Sequence, residues 1–105
     1  MNSKIYVVST TFPTLEQAQC AATELTNKKV AACVQISKPI ESTYIWQNKI
    51  FTEEEIKISI KTSISSLEKL KLELKNIHPY ECPEFIAICA EASQEYADWI
   101  NSVCK

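Results

Sequence analysis

The sequence predicts an α+β domain. An antiparallel sheet is threaded in the order β-α-β-β-α-β, with two helices on one of its faces and a further helix at the C-terminus. Three observations predict it. Short β-branched runs, such as Ile56, Ile58 and Ile60 alternating with Lys57, Ser59 and Lys61, mark strands. Two stretches with apolar residues at three- and four-residue steps, each opened by a Ser/Thr-x-x-Glu/Gln box, mark helices between them. A length of 105 residues, with 46% hydrophobic and 23% charged, fits a single domain over 1–105 whose core is thin.

In chain order, "KIYVVST" (4–10) reads as a buried strand. "TLEQ" (14–17) is a capping box in which Thr14 takes the backbone N–H of Gln17 and the Gln17 side chain reaches back. Leu15, Ala18, Ala22 and Leu25 then form the stripe of a helix over 15–28. "VAACVQI" (30–36) is a second strand, and Pro39 after it fits a bend or an edge position. "ESTYIW" (41–46) continues extended into a hairpin turn at "WQNKI". With no glycine in the chain, Asn48 and Asn27 are the expected left-handed positions. "IKISIK" (56–61) has one buried and one wet face. A helix follows over 65–77, capped by Ser65 with Glu68, with Leu67, Leu70, Leu74 and Ile77 as its core stripe. Pro79 stops it and pushes His78 out of helical geometry. "EFIAICA" (84–90) is the last strand, apolar on both faces. Ser93 caps a terminal helix carrying Tyr96, Trp99, Ile100 and Val103 on one side.

This order is the ferredoxin-like, split βαβ arrangement. Its central strands, about 30–46 and 50–61, are too long for two helices to cover. They leave an apolar end of Tyr44, Ile45, Trp46, Ile50 and Phe51, and edges that need protection. Pairing with another subunit protects them, so an oligomer is expected.

Composition weighs against several functions. The net charge is −2 and every basic residue is lysine, which weighs against nucleic acid and phosphate recognition by planar arginine forks. The fold order also suits an RNA-recognition module, but "IKISIK" offers no aromatic platform. Without glycine there is neither a phosphate loop nor a dinucleotide fingerprint. The apolar run Ile5–Val8 is shorter than a secretory core, and no run approaches a membrane span. Five cysteines with no CxxC spacing read as free thiols, and the expectation is a cytoplasmic protein.

The chemistry-bearing residues concentrate in "HPYECPEF" (78–85), which holds the one histidine. His78 and Cys82, with Glu81 or Glu84, offer nitrogen, thiolate and carboxylate donors for copper, zinc or a similar ion. The competing reading is a histidine that caps the helix C-terminus as a cation. A Cys–His nucleophile lacks any visible oxyanion loop, so no enzyme is expected. Cys33 is an inert buried thiol or a ligand, and Cys89 reads as core. Cys20 and Cys104 lie on helices. "EEE" (53–55) reads as a solvated edge before a hard-cation site. Tyr44 and Trp46 look like interface anchors.

The stretches "AACVQI" (31–36), "STYIWQNKI" (42–50), "IKT" (60–62), "HPYECPE" (78–84) and "YADWI" (96–100) together resemble the CutA divalent-cation tolerance proteins, from about Lys4 to Val103. The resemblance implies a homotrimer of ferredoxin-like subunits, similar to the trimeric PII signalling proteins, whose inter-subunit sheets close the edges. It implies a role in tolerance of copper and other divalent metals, no established enzymatic reaction, and no organic cofactor. His78 matches the histidine of the family's "HPY" motif and Cys33 the cysteine of "AACV", so both are carried over as copper ligands. Trp46, Lys61, Tyr80 and Glu84 fall on motif positions at a subunit interface or a cleft within it. Some members carry a second histidine before "HPY", where this chain has Ile77. A family "PG" bend stands here as Lys38–Pro39, and a "GK" turn as Asn48–Lys49. The alternative expectation is a non-enzymatic, PII-like scaffold or signalling module that binds a small molecule or a protein at inter-subunit clefts.

Overall fold

Alternating and helical patterns resolve into four strands and three helices over residues 3–104, which the computed structural model describes. In chain order these are β1 (Lys4–Phe12), α1 (Leu15–Asn27), β2 (Cys33–Trp46), β3 (Lys49–Thr62), α2 (Leu67–Ile77), β4 (Ile86–Glu91) and α3 (Gln94–Val103). A single 3-10 turn at Ile64–Ser66 leads into α2. The strands form one antiparallel sheet in the order β2-β3-β1-β4, the ferredoxin-like order the sequence predicts.

Partners across a sheet share a face. Val8, Thr10 and Phe12 of β1 stand opposite Ile60, Ile58 and Ile56 of β3. With Ala18, Ala21 and Leu25 of α1 and Leu70 and Leu74 of α2 they make the main core. On the other face Ile5 is buried under α3, against Ala97, Ile100 and Cys104. Two helices therefore cover one face and the third covers part of the other.

Several expected burials differ. In α1 the inner stripe runs through Ala21, with Ala22 only half-buried and Leu15 exposed. In α3 the small Ala97 and Ile100 take the inner face, because a ring would hold the helix off the sheet. Trp99 faces outwards, and Tyr96 sits at the margin of the helix with its phenol beside Cys33. β4 is an edge strand, and α3 does not reach across it. Ile86 and Ile88, partners of Ser9 and Val7, are 52% and 61% exposed. Cys89, expected in the core, is exposed on the same strand.

Local chemistry sets the element ends. Gln17 N–H donates to Thr14 Oγ1 at 3.2 Å, as the capping box requires. The Gln17 side chain meets the Thr14 hydroxyl, not its backbone. Ser65 is not the cap of α2. The chain enters through the 3-10 turn, where Ser63 Oγ accepts from Ser66 N–H at 3.1 Å, and Ser65 sits inside that turn. The left-handed residue after α1 is Lys29 (φ 59°), not Asn27. Val30 N–H reaches back to the Leu25 carbonyl at 3.2 Å, the six-to-one bond of a Schellman ending, with both side chains buried. Gln47 (φ 51°) and Asn48 (φ 65°) make a two-residue turn with both residues left-handed, which matches strand twist in a tight hairpin.

β2 runs unbroken through Pro39 because it is an edge strand and carries a register shift between Ile36 and Pro39. Ser37 Oγ accepts the Lys57 N–H at 3.0 Å inside that irregularity. β1 pairs with β3 only over Ile56–Thr62. The preceding part of β3 and its β2 partners therefore project as a bare two-stranded ribbon, the overhang expected from strand length. Ile45 and Ile50 near its tip are 73% and 75% exposed.

Candidate functional site

The segment from α2 to β4 is built around His78. Its backbone (φ −78°, ψ 134°) is extended, as the residue before proline favours, and this turns the imidazole towards the end of β1. The ring stacks on Phe12 with centroids 4.4 Å apart. Nε2–H donates to the Thr11 carbonyl at 2.8 Å, with Thr10 Oγ1 at 3.3 Å, and Tyr80 N–H donates to Nδ1 at 3.2 Å. A carbonyl oxygen only accepts, so Nε2 carries the proton and Nδ1 the lone pair. The ring is neutral with both nitrogens engaged. Burial lowers its pKa from 6.5, against smaller opposing effects of the Thr11 carbonyl and Glu55. His78 is thus a neutral joint between α2 and β1, not a cationic helix cap.

This joint carries Tyr80 to the end of the ribbon. Tyr80 OH donates to Glu55 Oε2 at 2.6 Å, and Glu55 is only 8% exposed. Across the ribbon, Tyr44 OH donates to Glu53 and its ring stacks on Phe51 at 5.6 Å. Burial, then the bond to Glu55, raises the Tyr80 pKa well above its ordinary 10. The Glu53 carboxylate raises that of Tyr44. Both phenols remain neutral donors at physiological pH. Together with Thr11, Ser42, Trp46, Glu81, Cys82 and Glu84, the residues Tyr44, Glu55 and Tyr80 line an open cleft of about 390 Å³.

The "EEE" run is therefore split. Glu53 and Glu55 pair with Ser42 and Ile40 on the cleft side, and strand alternation puts Glu54 on the other face. The solvated-edge expectation holds for Glu54 and fails for Glu55, which the Tyr80 segment covers.

Of the residues singled out from sequence, Cys82, Trp46, Tyr80 and Glu84 meet in this cleft. Lys61 does not. It pairs with Cys33 on one side and Val7 on the other, and it donates to Gln35. Cys33 is half-buried on the α3 face beside the Tyr96 phenol, whereas His78 packs on Phe12 on the opposite face. The sheet separates these two candidate ligands within one chain. Among the described residues, no group of three or more His, Cys, Asp or Glu side chains is placed to hold a metal ion. Sequence reasoning missed Glu55, Thr11 and Ser42. Alternation from Ile56 does put Glu55 on the face opposite the isoleucines, but nothing local shows that Tyr80 comes to meet it.

Fold and site together define a class: a small ferredoxin-like α+β domain with an over-long hairpin, uncovered apolar edges and an aromatic, acidic cleft along the hairpin. The family model for the CutA1 divalent ion tolerance protein matches residues 6–103. The divalent-cation tolerance protein CutA of Thermus thermophilus is 38% identical over 96 residues, covering 90% of this chain and 93% of that protein. The structure of CutA from Synechococcus elongatus superposes with a TM-score of 0.92 at 34% identity, covering 99% of this chain and 93% of the other. CutA1 from Ehrlichia chaffeensis gives 0.92 at 29% identity, covering 100% and 99%. The chain belongs to the CutA1 divalent ion tolerance family.

Proposed function

We propose that this protein serves divalent-cation tolerance as a cytoplasmic homotrimer that binds metal ions weakly, copper among them, without catalysing a reaction. Family membership supports the tolerance role, and the five free thiols support a reducing compartment. One observation carries the choice of locus. Cys82 is exposed in the cleft with Glu81 and Glu84, whereas both nitrogens of His78 are already engaged. Cys82 is the stronger ligand because thiolates suit copper(I) and zinc, and it needs no bond broken to bind. With no preassembled ligand set in one chain, affinity is weak unless a second copy contributes donors. The test is an anaerobic titration with copper(I) and with zinc. Cys82→Ser is expected to lose most of the heat and His78→Gln to keep it. Unchanged isotherms for Cys82→Ser would remove the cleft as the metal locus.

A second reading, the PII-like module that binds a small molecule, is favoured by one feature: the cleft is walled by Tyr44, Trp46 and Tyr80. Binding of metal without any effect from a cleft-directed organic ligand would count against it.

A further inference from the structure

We propose that His78 is an acid-released latch: protonation of its Nδ1 expels the Tyr80 amide and frees residues 79–84, with the cleft wall they form, from β1 and the ribbon. The latch is independent of which ligand the cleft takes, and its contacts all lie within one chain.

The segment is held at few points. Residues 78–85 join α2 to β4 with neither helix nor strand of their own. α2 holds one end, and Phe85, packed against the main core, holds the other. Among the described residues, the hydrogen bonds that tie 79–84 to the rest are both Tyr80's. Its N–H donates to His78 Nδ1 at 3.2 Å and its OH to Glu55 Oε2 at 2.6 Å. Tyr80, Glu81, Cys82 and Glu84 line the cleft, so loosening this stretch opens that wall. A segment with so few bonds opens locally at a lower free energy than the core.

The imidazole controls the first of these bonds. Nε2–H donates to the Thr11 carbonyl and Nδ1 accepts from Tyr80, and a neutral ring meets both demands. An imidazolium carries a proton on each nitrogen and accepts nothing. Protonation leaves the Thr11 bond and the stacking on Phe12 in place, since an aromatic face attracts a cation. At Nδ1 it sets N–H against N–H, so Tyr80 is what must move. The new Nδ1–H then donates to water in the space the segment vacates.

The surroundings set how readily this happens. Glu55 on β3 is the charged group acting on the ring, and it favours the cation. β1 presents Thr10, Thr11 and Phe12, none of which titrates here, and the Tyr80 phenol stays neutral. Lys75 in the last turn of α2 is exposed, and Glu16 and Glu24 of α1 border a separate groove beside Ile77 and Pro79. Burial outweighs Glu55, so the closed latch resists the proton and the open one takes it. Below 6.5, each unit of acidification therefore raises the open population by up to about tenfold.

The test is NMR of the intact protein. His78 is the one histidine, so its ring nitrogens are identified at once. They are expected to show the Nε2–H tautomer at neutral pH, and an Nδ1–H tautomer overturns the latch. Hydrogen exchange of the Tyr80 N–H, divided by the intrinsic rate at each pH, should speed up by about fivefold to tenfold between about pH 7 and 5.5. It should stay faster than exchange of the core amides of Val8 and Ile58 and, as a local opening, should not respond to low urea. Exchange at the core rate, or no acceleration with acid, overturns the proposal. His78→Gln offers a carbonyl to Tyr80 and an N–H to Thr11 but gains no proton, so its normalised exchange should be flat with pH. Acceleration of the same size in His78→Gln would assign the effect to another group and sink the latch. The wild-type tautomer and rates decide the matter even if that variant does not fold.

Discussion

His78 shows how one side chain can serve as a structural hub while looking like a ligand. Its stacking on Phe12 and its bonds to Thr11 and Tyr80 tie the exit of α2 to the end of β1. Replacing it with alanine removes the stacking and leaves the Tyr80 N–H without its partner. The expected loss is about 2–4 kcal/mol, read by urea denaturation. The pH dependence has a definite sign. The folded-state pKa is lowered from 6.5, so below that value the unfolded chain takes up a proton that the folded chain refuses. Stability is complete above 6.5 and falls as pH drops from there towards the lowered folded value. Denaturation midpoints followed through this window in wild type and His78→Gln should diverge at neutral pH and converge on acidification. Parallel curves would show that His78 does not titrate this way. The same residue scale explains why the site was only partly legible. The motif drew attention to Cys82, Tyr80 and Glu84, which do line the cleft, but Glu55 looked like one of three solvated glutamates.

At the scale of elements, composition constrains how ends are made. Without glycine, Lys29 occupies a left-handed Schellman position at a cost of about 1–2 kcal/mol for its Cβ. The bond from Val30 to Leu25 and their burial offset that strain. The start of α2 shows how capping patterns mislead. Ser65 and Glu68 have the right spacing, yet Ser63, which has no partner glutamate at its third position, holds the turn. Ser63→Ala should cost about 1 kcal/mol and Ser65→Ala within about 0.5 kcal/mol, measured by thermal or chemical melts. Equal effects at the two positions would reverse the assignment. Spacing alone cannot separate the two serines, because a 3-10 turn shifts the helix start by one to three residues. By contrast, most of the hairpin was legible: Asn48 is left-handed, the ribbon overhangs, and Pro39 lies on an edge strand, whereas the left-handed Gln47 and the start of β2 at Cys33, not Val30, were not.

For the whole molecule, shape argues for assembly. The radius of gyration is 14.4 Å, against about 13 Å for a compact domain of this length. The accessible surface is 6723 Å², against roughly 5,900 Å² expected for a compact monomer of this mass. The excess belongs to the ribbon and to the uncovered β4 edge, where Ile45, Ile50, Ile86 and Ile88 stand exposed. A ribbon of two strands is marginal in water by itself, and exposed strand edges invite pairing. Light scattering at micromolar protein is expected to give a trimer for wild type. The double variant Ile45→Lys with Ile50→Lys, which alters no buried core position, should give monomer. A wild-type monomer would overturn the assembly proposal.

The sequence by itself determined the order of elements, the ferredoxin-like topology, the over-long hairpin and the family, because each is written in local periodicity, turn chemistry or motif. Tertiary structure alone decided which residues meet. His78 reaches Thr11 across 67 positions and Tyr80 reaches Glu55 across 25. It also decided that Cys33 and His78 lie on opposite faces of the sheet, and that Trp99 and Cys89 face outwards. The physical reason is that periodicity assigns a residue to a face, but coverage of that face depends on how far a separate element extends over it. A short α3 and a proline-stiffened segment after α2 set that coverage here, and the cleft is formed where the two long strands run past the end of β1.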